Sequence, residues 1–132
     1  MPVFVVHEHH AKRLHFDLRL EMDGALKSWA VPKGPSMNPA DKRLAIMVND
    51  HDLEYADFEG TIPEGMYGAG KVIIWDKGTY ELKSGSIHEG KLEIYFDGKQ
   101  LKGIFALIKI SSKDKEWLII KKKEQLNGLS HK

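Results

Sequence analysis

His9-His10-Ala11-Lys12-Arg13-Leu14-His15-Phe16-Asp17-Leu18-Arg19-Leu20-Glu21 is the stretch on which the reading of this chain turns. From Leu14 onward the alternation is strict: Leu14, Phe16, Leu18 and Leu20 are apolar, while His15, Asp17, Arg19 and Glu21 are polar. A period of two predicts a β-strand with one buried face. Successive side chains on the polar face then stand roughly 6.5–7 Å apart, close enough for long ones to converge on one ligand. An imidazole, a carboxylate and a guanidinium in a row offer two kinds of metal ligand and a forked phosphate clamp. A plain solvated strand face could carry the same residues, because polar side chains are mostly exposed. His9 weighs against that. It lies six residues before His15, and the short basic link through Lys12 and Arg13 can turn back toward the strand. Two histidines and a carboxylate can form a facial set with open positions for substrate.

Strand signals continue on both sides. Val3 to Val6 is a β-branched and aromatic run, and the organising strand covers about 13–21. Asp23-Gly24 is a hairpin turn into a strand at Leu26 to Val31. Residues 32–43 are rich in turn formers, with at most one helical turn near Pro39, and form a loop that carries Lys33 and Arg43. Leu44 to Val48 runs as a strand into Asn49-Asp50-His51-Asp52, with Tyr55 close behind. Phe58 to Gly70 reads as a long ordered loop. Lys71 to Asp76 predicts a strand buried on both faces at its centre, followed by a Lys77-Gly78 turn and a strand at 79–83. Lys91 to Phe96 and about 102–110 make a hairpin around Asp97-Gly98, and Glu116 to Lys121 is the last strand.

About eight or nine short strands and no convincing helical period predict an all-β fold. A small closed or nearly closed β-barrel of about eight strands, with little helix, best protects so many short edges. Residues 1–121 are expected to form one domain and residues 122–132 a polar, frayed tail. Trp29, Trp75 and Trp117 lie in strands and are expected in the core or barrel wall, while His7, His10, His88 and His131 are expected at the surface.

The 132 residues are 42% hydrophobic, enough for a proper core. With no cysteine there are no disulfides and no thiolate ligands, so a metal must use imidazole nitrogen and carboxylate oxygen. No apolar run approaches the ~20 residues of a membrane span, and the N-terminus is too short for a signal peptide. A cytoplasmic protein is expected. The formal net charge is only +1, so any nucleic-acid binding must use a local patch. Gly65-Met66-Tyr67-Gly68-Ala69-Gly70-Lys71 matches a nucleotide-binding loop in form. Val72 stands where Mg²⁺ needs a hydroxyl, however, and the run opens a strand rather than a helix, so these glycines are read as a tight corner.

Several motifs, in order along the chain, carry a family resemblance. They are Phe4-Val5-Val6, His9, Arg13-Leu14-His15-Phe16-Asp17-Leu18-Arg19-Leu20-Glu21, and Trp29-Ala30-Val31-Pro32-Lys33-Gly34-Pro35-Ser36. Asp50-His51, Glu54-Tyr55, Phe58-Glu59-Gly60-Thr61-Ile62-Pro63, Gly65, Tyr67-Gly68-Ala69-Gly70 and Trp75-Asp76 follow. Together they resemble the 3′-phosphoesterase domain of DNA ligase D, and the form expected is the free-standing bacterial or archaeal one.

The resemblance implies a small β-barrel with the site in a cleft on it. It implies a manganese-dependent phosphoesterase, Zn²⁺ or Co²⁺ being alternatives, that removes 3′-terminal ribonucleosides and then 3′-phosphates to leave a 3′-hydroxyl. The expected partners are primer-template 3′ ends of DNA, including those with terminal ribonucleotides. Separate ligase, polymerase or end-binding repair proteins are further expected partners, with no membrane and a monomeric protein. By matching positions, the metal ligands fall on His9, His15 and Asp17, and the phosphate contacts on Arg19, Lys33, Arg43, His51 and Tyr55. His9, His15, Asp17, Arg19 and His51 form the implied catalytic set. Where the family carries an acidic residue two positions before the second-site histidine, this chain has Asn49. The competing reading is a non-catalytic module that holds 3′-phosphate ends for a separate ligase.

Overall fold

The computed structural model describes residues 1–110 and 112–123; of the expected tail at 122–132, residues 124–132, with His131, lie outside the described residues. Nine strands follow in order: β1 (Val3–His10), β2 (Leu14–Met22), β3 (Ala25–Val31), β4 (Arg43–His51), β5 (Gly60–Ile62), β6 (Gly70–Ser86), β7 (Lys91–Asp97), β8 (Lys102–Lys109) and β9 (Glu116–Lys121). One 3₁₀ turn, Leu53–Asp57, stands between β4 and β5. No helix among the described residues is long and apolar enough to cross a membrane.

Neighbouring strands pair in the order β1-β2-β3-β4-β9-β8-β7-β6, and β1 pairs back onto β6. The result is a closed antiparallel barrel of eight strands, with β5 as a short ninth beside the start of β6. Closure removes the exposed edges that so many short strands would otherwise present.

The alternation in β2 decides which wall carries chemistry. Leu18 and Leu20 are fully buried among Phe4, Val6, Trp29, Val31, Phe96, Phe105 and Trp117 inside the barrel, and Phe16 packs against that core. His15, Asp17 and Arg19 therefore lie on the outer wall. A smaller apolar cluster of Val5, Leu26 and Ala56, flanked by Tyr55 and Ile74, seats the 3₁₀ turn on the same outer side. Trp29 and Trp117 meet edge-on in the core with ring centroids 5.7 Å apart, and Trp75 packs half-buried against Phe16.

Several expectations are corrected: β1 runs past the predicted Val3–Val6 to His10, and the predicted loop at 58–70 holds β5. Lys77-Gly78 is not a turn, because β6 runs unbroken from Gly70 to Ser86. The glycine answers a different need: a Cβ at Gly78 would strike the Asp97 carbonyl, so the position permits a close backbone approach. The centre of that segment is not buried on both faces, since Ile73, Ile74 and Trp75 are only half-buried. One face meets the barrel interior, while the other has only thin cover near the three-residue β5. β4 also extends beyond the predicted 44–48, from Arg43 to His51. The strand after Gly70 excludes a nucleotide-binding loop, which must open a helix.

One end of the barrel is tied by the buried Asp76. Its carboxylate accepts from the backbone N–H groups of Lys99, Gln100 and Leu101 at 2.9, 3.1 and 2.8 Å, and from that of Lys77 at 2.9 Å. Leu101 is thereby held in the core.

Candidate metal and phosphate site

Antiparallel register lays three strands into a grid on the outer wall. His9 stands opposite His15, His7 opposite Asp17, and Val5 opposite Arg19. On the other flank, Asp17 faces Ala30 and Arg19 faces Ser28. Residues 5, 7 and 9 of β1 thus share one face with residues 15, 17 and 19 of β2.

His9, His15 and Asp17 converge. One ligand atom from each lies within 4.8 Å of the other two. His9 Nδ1 is 3.6 Å from Asp17 Oδ2, and His15 Nε2 is 3.3 Å from Asp17 Oδ1. The outward nitrogens are fixed by carbonyl oxygens, which can only accept. His9 Nε2 donates to the Gly68 carbonyl at 2.8 Å, and His15 Nδ1 to that of Arg13 at 3.2 Å. Each imidazole is then left with its other nitrogen as a lone pair beside the carboxylate. Metal-ligating histidines are oriented in this way. Two imidazole nitrogens and a carboxylate oxygen fit a divalent ion of borderline character. A second proton, on His15 Nε2, would be held by the Asp17 carboxylate, and that hydrogen bond to the charged form raises the His15 pKa above 6.5 against the effect of burial. Burial pushes the Asp17 carboxyl up, but His15 and the Arg19 charge outweigh it and hold the group below the usual carboxylate range.

Arg19 is buried and almost fully engaged. Nε donates to His7 Nδ1 at 3.1 Å, Nη1 to Ser28 Oγ at 2.9 Å and His51 Nδ1 at 3.1 Å, and Nη2 to Asp17 Oδ2 at 3.3 Å. Its guanidinium carbon sits 5.0 Å from the Tyr55 ring centroid. Of the five N–H donors of an arginine, one on Nη2 remains for a ligand. The free planar fork that the alternation suggested is thus spent inside the protein, and what faces the cleft is a fixed positive charge with one N–H.

His7 corrects the surface assignment: it is fully buried. Its Nδ1 accepts from Arg19, so its Nε2 carries the proton and donates to the Phe58 carbonyl at 3.1 Å. Burial first, and the Arg19 charge second, lower its pKa from 6.5 to about 4. A signal was present in the sequence. Val3, Val5, His7 and His9 share a period of two, which puts His7 on the same face as the ligand candidate two residues on.

His51 reaches the cleft because β4 bulges. Ser28 pairs with Val48, but Leu26 pairs with His51, one residue out of step. The extra residue turns His51 onto the outer wall, where regular pleating would have placed its neighbour. Its Nδ1 accepts from Arg19 and lies 3.2 Å from the Asn49 carbonyl, so Nε2 carries the hydrogen. Burial, then the Arg19 charge, lowers its pKa below 6.5. The Asn49 side chain is exposed; position 49 meets the histidine through its backbone. Tyr55, on the 3₁₀ turn, stacks on Phe58 at 4.9 Å and packs against His51 at 4.9 Å, and burial raises its phenol pKa.

One cleft is lined by His9, His15, Asp17, Arg19, His51 and Tyr55, with Ala11, Ala30, Val48, Ile62, Tyr67 and Gly68 between and above them. Lys33 and Arg43 are not among them. Arg43 Nη1 donates to the carbonyls of Lys33 and Gly34 at 2.8 and 2.9 Å, and Nη2 to Asp41 at 3.3 Å. It clamps the 32–43 loop and lines a separate hollow with Lys33 and Lys42. His10 is exposed and pairs with Glu8 at 2.6 Å, and His88 is exposed, both as expected.

The sequence profile of the DNA Ligase D 3′-phosphoesterase domain matches residues 7–109. The chain is 50% identical over 127 residues to the multifunctional non-homologous end joining protein LigD of Pseudomonas aeruginosa, covering 92% of this chain and 15% of that protein. It is 49% identical over 124 residues to the multifunctional non-homologous end joining DNA repair protein LigD of Mycobacterium tuberculosis, covering 92% of this chain and 16% of that one. With the LigD protein of Mycolicibacterium smegmatis it shares 44% identity over 134 residues, covering 95% of this chain and 17% of the relative. The chain thus spans about a sixth of the length of the curated relatives it matches.

Proposed function

The chain belongs to the DNA ligase D 3′-phosphoesterase domain family, and on that premise we propose that residues 1–121 act as a metal-dependent phosphoesterase that heals DNA 3′ ends. It removes a 3′-terminal ribonucleoside, then the 3′-phosphate left behind, and so exposes a 3′-hydroxyl for ligation in the cytoplasm. The observation that carries this reading is the convergence of His9, His15 and Asp17 beside a buried Arg19 held by four hydrogen bonds.

His9 Nδ1, His15 Nε2 and the Asp17 carboxylate would hold the divalent ion, Mn²⁺ on the family resemblance, with Zn²⁺ and Co²⁺ as alternatives. When bound, the ion supplies Lewis acidity at a phosphoryl oxygen. The protein's own groups do the rest. Hydrolysis adds a water oxygen to phosphorus, breaks the bond to the leaving oxygen, and returns a proton to that oxygen. Charge builds on the phosphoryl oxygens meanwhile, and Arg19 faces it with a charge already oriented by its partners, so little reorganisation is needed. His51, neutral at pH 7 because its pKa is lowered, donates its Nε2–H to a phosphoryl oxygen. Tyr55, kept protonated by burial, adds a neutral hydrogen bond. Lys33 and Arg43 lie outside the cleft and are read as contacts to a phosphate next to the reacting one, which fixes position without reading sequence.

The test is a labelled primer-template ending in one ribonucleotide, incubated with Mn²⁺ or with chelator. Loss of the ribonucleoside and then of phosphate, with Mn²⁺ only, is the expected result. No shortening and no phosphate release with Mn²⁺, Zn²⁺ or Co²⁺, but retained binding of 3′-phosphate ends, would favour the non-catalytic module instead.

A further inference from the structure

The loop between β5 and β6 is built around the candidate metal set. Gly65 and Gly68 take φ of +88° and +77°, values that side-chain-bearing residues rarely adopt, and Ala69 N–H donates to the Met66 carbonyl at 3.1 Å. The Gly68 carbonyl accepts the His9 Nε2 hydrogen, which locks the loop onto a ligand residue. Between these glycines the loop presents Tyr67, the most exposed aromatic side chain among the described residues at 91% exposure. Met66 beside it is 61% exposed.

Tyr67 nevertheless lines the same cleft as His9, Asp17, Arg19 and His51, as does Ile62. The cleft is therefore two-sided, with a polar and charged floor and an apolar, aromatic lip. An inorganic phosphate would use the floor alone. A nucleoside phosphate carries an anion and a flat, weakly polar base on one frame, which matches floor and lip together.

We propose that Tyr67 is a base-stacking lip: its ring packs against the face of the nucleobase attached to the phosphate in the cleft. The proposal rests on reading that floor as a phosphate site. Stacking of this kind tolerates every base, because each has a π face, so it favours nucleic-acid ends over small phosphoesters without selecting sequence. The lip is a binding subsite, and the loop that carries it also holds His9. A substitution must therefore be shown to leave the metal set intact.

The experiment compares Tyr67→Ala, Tyr67→Phe and Tyr67→Trp with wild type. The substrates are a primer-template ending in a 3′-phosphorylated nucleotide and the same duplex whose terminal nucleotide lacks its base. Mn²⁺ affinity is measured on each variant to confirm that the loop still seats His9. For Tyr67→Ala, the ratio of kcat/KM on the base-bearing end to that on the base-free end should fall by about 5- to 150-fold. Phe and Trp should keep the wild-type ratio. An unchanged ratio for Tyr67→Ala, or a fall for Phe equal to that for Ala, overturns the proposal; the latter would assign the role to the hydroxyl. Titration calorimetry with thymidine 3′-monophosphate and with inorganic phosphate gives a readout that needs no turnover. If wild type processes neither DNA end, the end-healing reading fails. The stacking proposal then stands or falls on whether Tyr67→Ala weakens the nucleotide, relative to phosphate, by the same factor.

Discussion

His7 should make the fold acid-sensitive well above the carboxylate range. Its side chain is fully buried, it accepts a hydrogen bond from Arg19, and its pKa is lowered from 6.5 to about 4. In the unfolded chain the imidazole takes a proton as pH falls through 6.5, while in the fold it resists protonation down to about 4. Protonation therefore favours the unfolded state. The stability that His7 confers is complete above pH 6.5, drains away between 6.5 and 4, and is flat below. The drop in pKa corresponds to about 3 kcal/mol at full extent. His15, whose pKa is raised, works in the opposite direction over part of the same range, so wild type alone cannot isolate the effect. His7→Gln can. A glutamine amide can accept from Arg19 Nε and donate to the Phe58 carbonyl without titrating. Urea unfolding of both proteins with chelator present, followed by tryptophan fluorescence at half-unit steps from pH 7.5 to 4, measures the difference. The wild-type curve should fall relative to His7→Gln by about 2–3 kcal/mol across the interval. Parallel curves would show that His7 does not stay neutral in the fold and would refute the buried-acceptor reading.

Three further outcomes follow from the same contacts. His15→Ala should abolish stoichiometric Mn²⁺ binding in titration calorimetry while changing stability by no more than about 1 kcal/mol, since the residue is on the outer wall; a retained site would move the metal elsewhere. Arg19→Lys should lower kcat/KM by about 10²-fold or more, alike on duplexes of different sequence, because an ammonium cannot span His7, Ser28, His51 and Asp17. A changed sequence preference would contradict a phosphate-directed role. Asp76→Ala should destabilise the barrel by about 3–5 kcal/mol in urea unfolding, because four backbone N–H groups lose their acceptor. Asp76→Asn should recover part of that loss, and a variant as stable as wild type would show the loop to be held by other contacts.

The barrel was legible because its signals are local and of one kind. Leu14 to Glu21 shows a clean period of two, Asp23-Gly24 turns the chain between paired strands, and most apolar runs are strand-sized and bounded by turn formers. Lys77-Gly78 misled because a glycine can mark a turn or a close approach, and only the position of Asp97 in space separates the two. The extent of β4 was missed for a related reason. Asn49, Asp50 and His51 look like the end of a strand by composition, yet they continue the ladder along the cleft, where polar side chains are wanted.

For the candidate site, the sequence could say which residues share a strand face but not how many of their hydrogen bonds are already taken. Period two placed His15, Asp17 and Arg19 together; carried past Val6 along β1 it would also have placed His7, expected at the surface, on the same wall as His9. What it lacked was the cross-strand accounting. Arg19 is clamped because Ser28 stands opposite it and His7 lies diagonally across on β1, while a bulge in β4 brings His51 within reach. A one-residue bulge reverses the side a residue faces, and nothing in Val48-Asn49-Asp50-His51 announces it. The same accounting changes the weight of Asn49. An acid there would have been expected to bias His51 toward its charged form through a side-chain contact. Here the contact is the backbone carbonyl, which any residue supplies, and what keeps His51 from charging is burial first and the Arg19 charge second. The electrostatics of this cleft are therefore organised from the buried arginine outward. Substitutions at His7 and Ser28, which are buried and need not touch substrate, should act on the reaction through it.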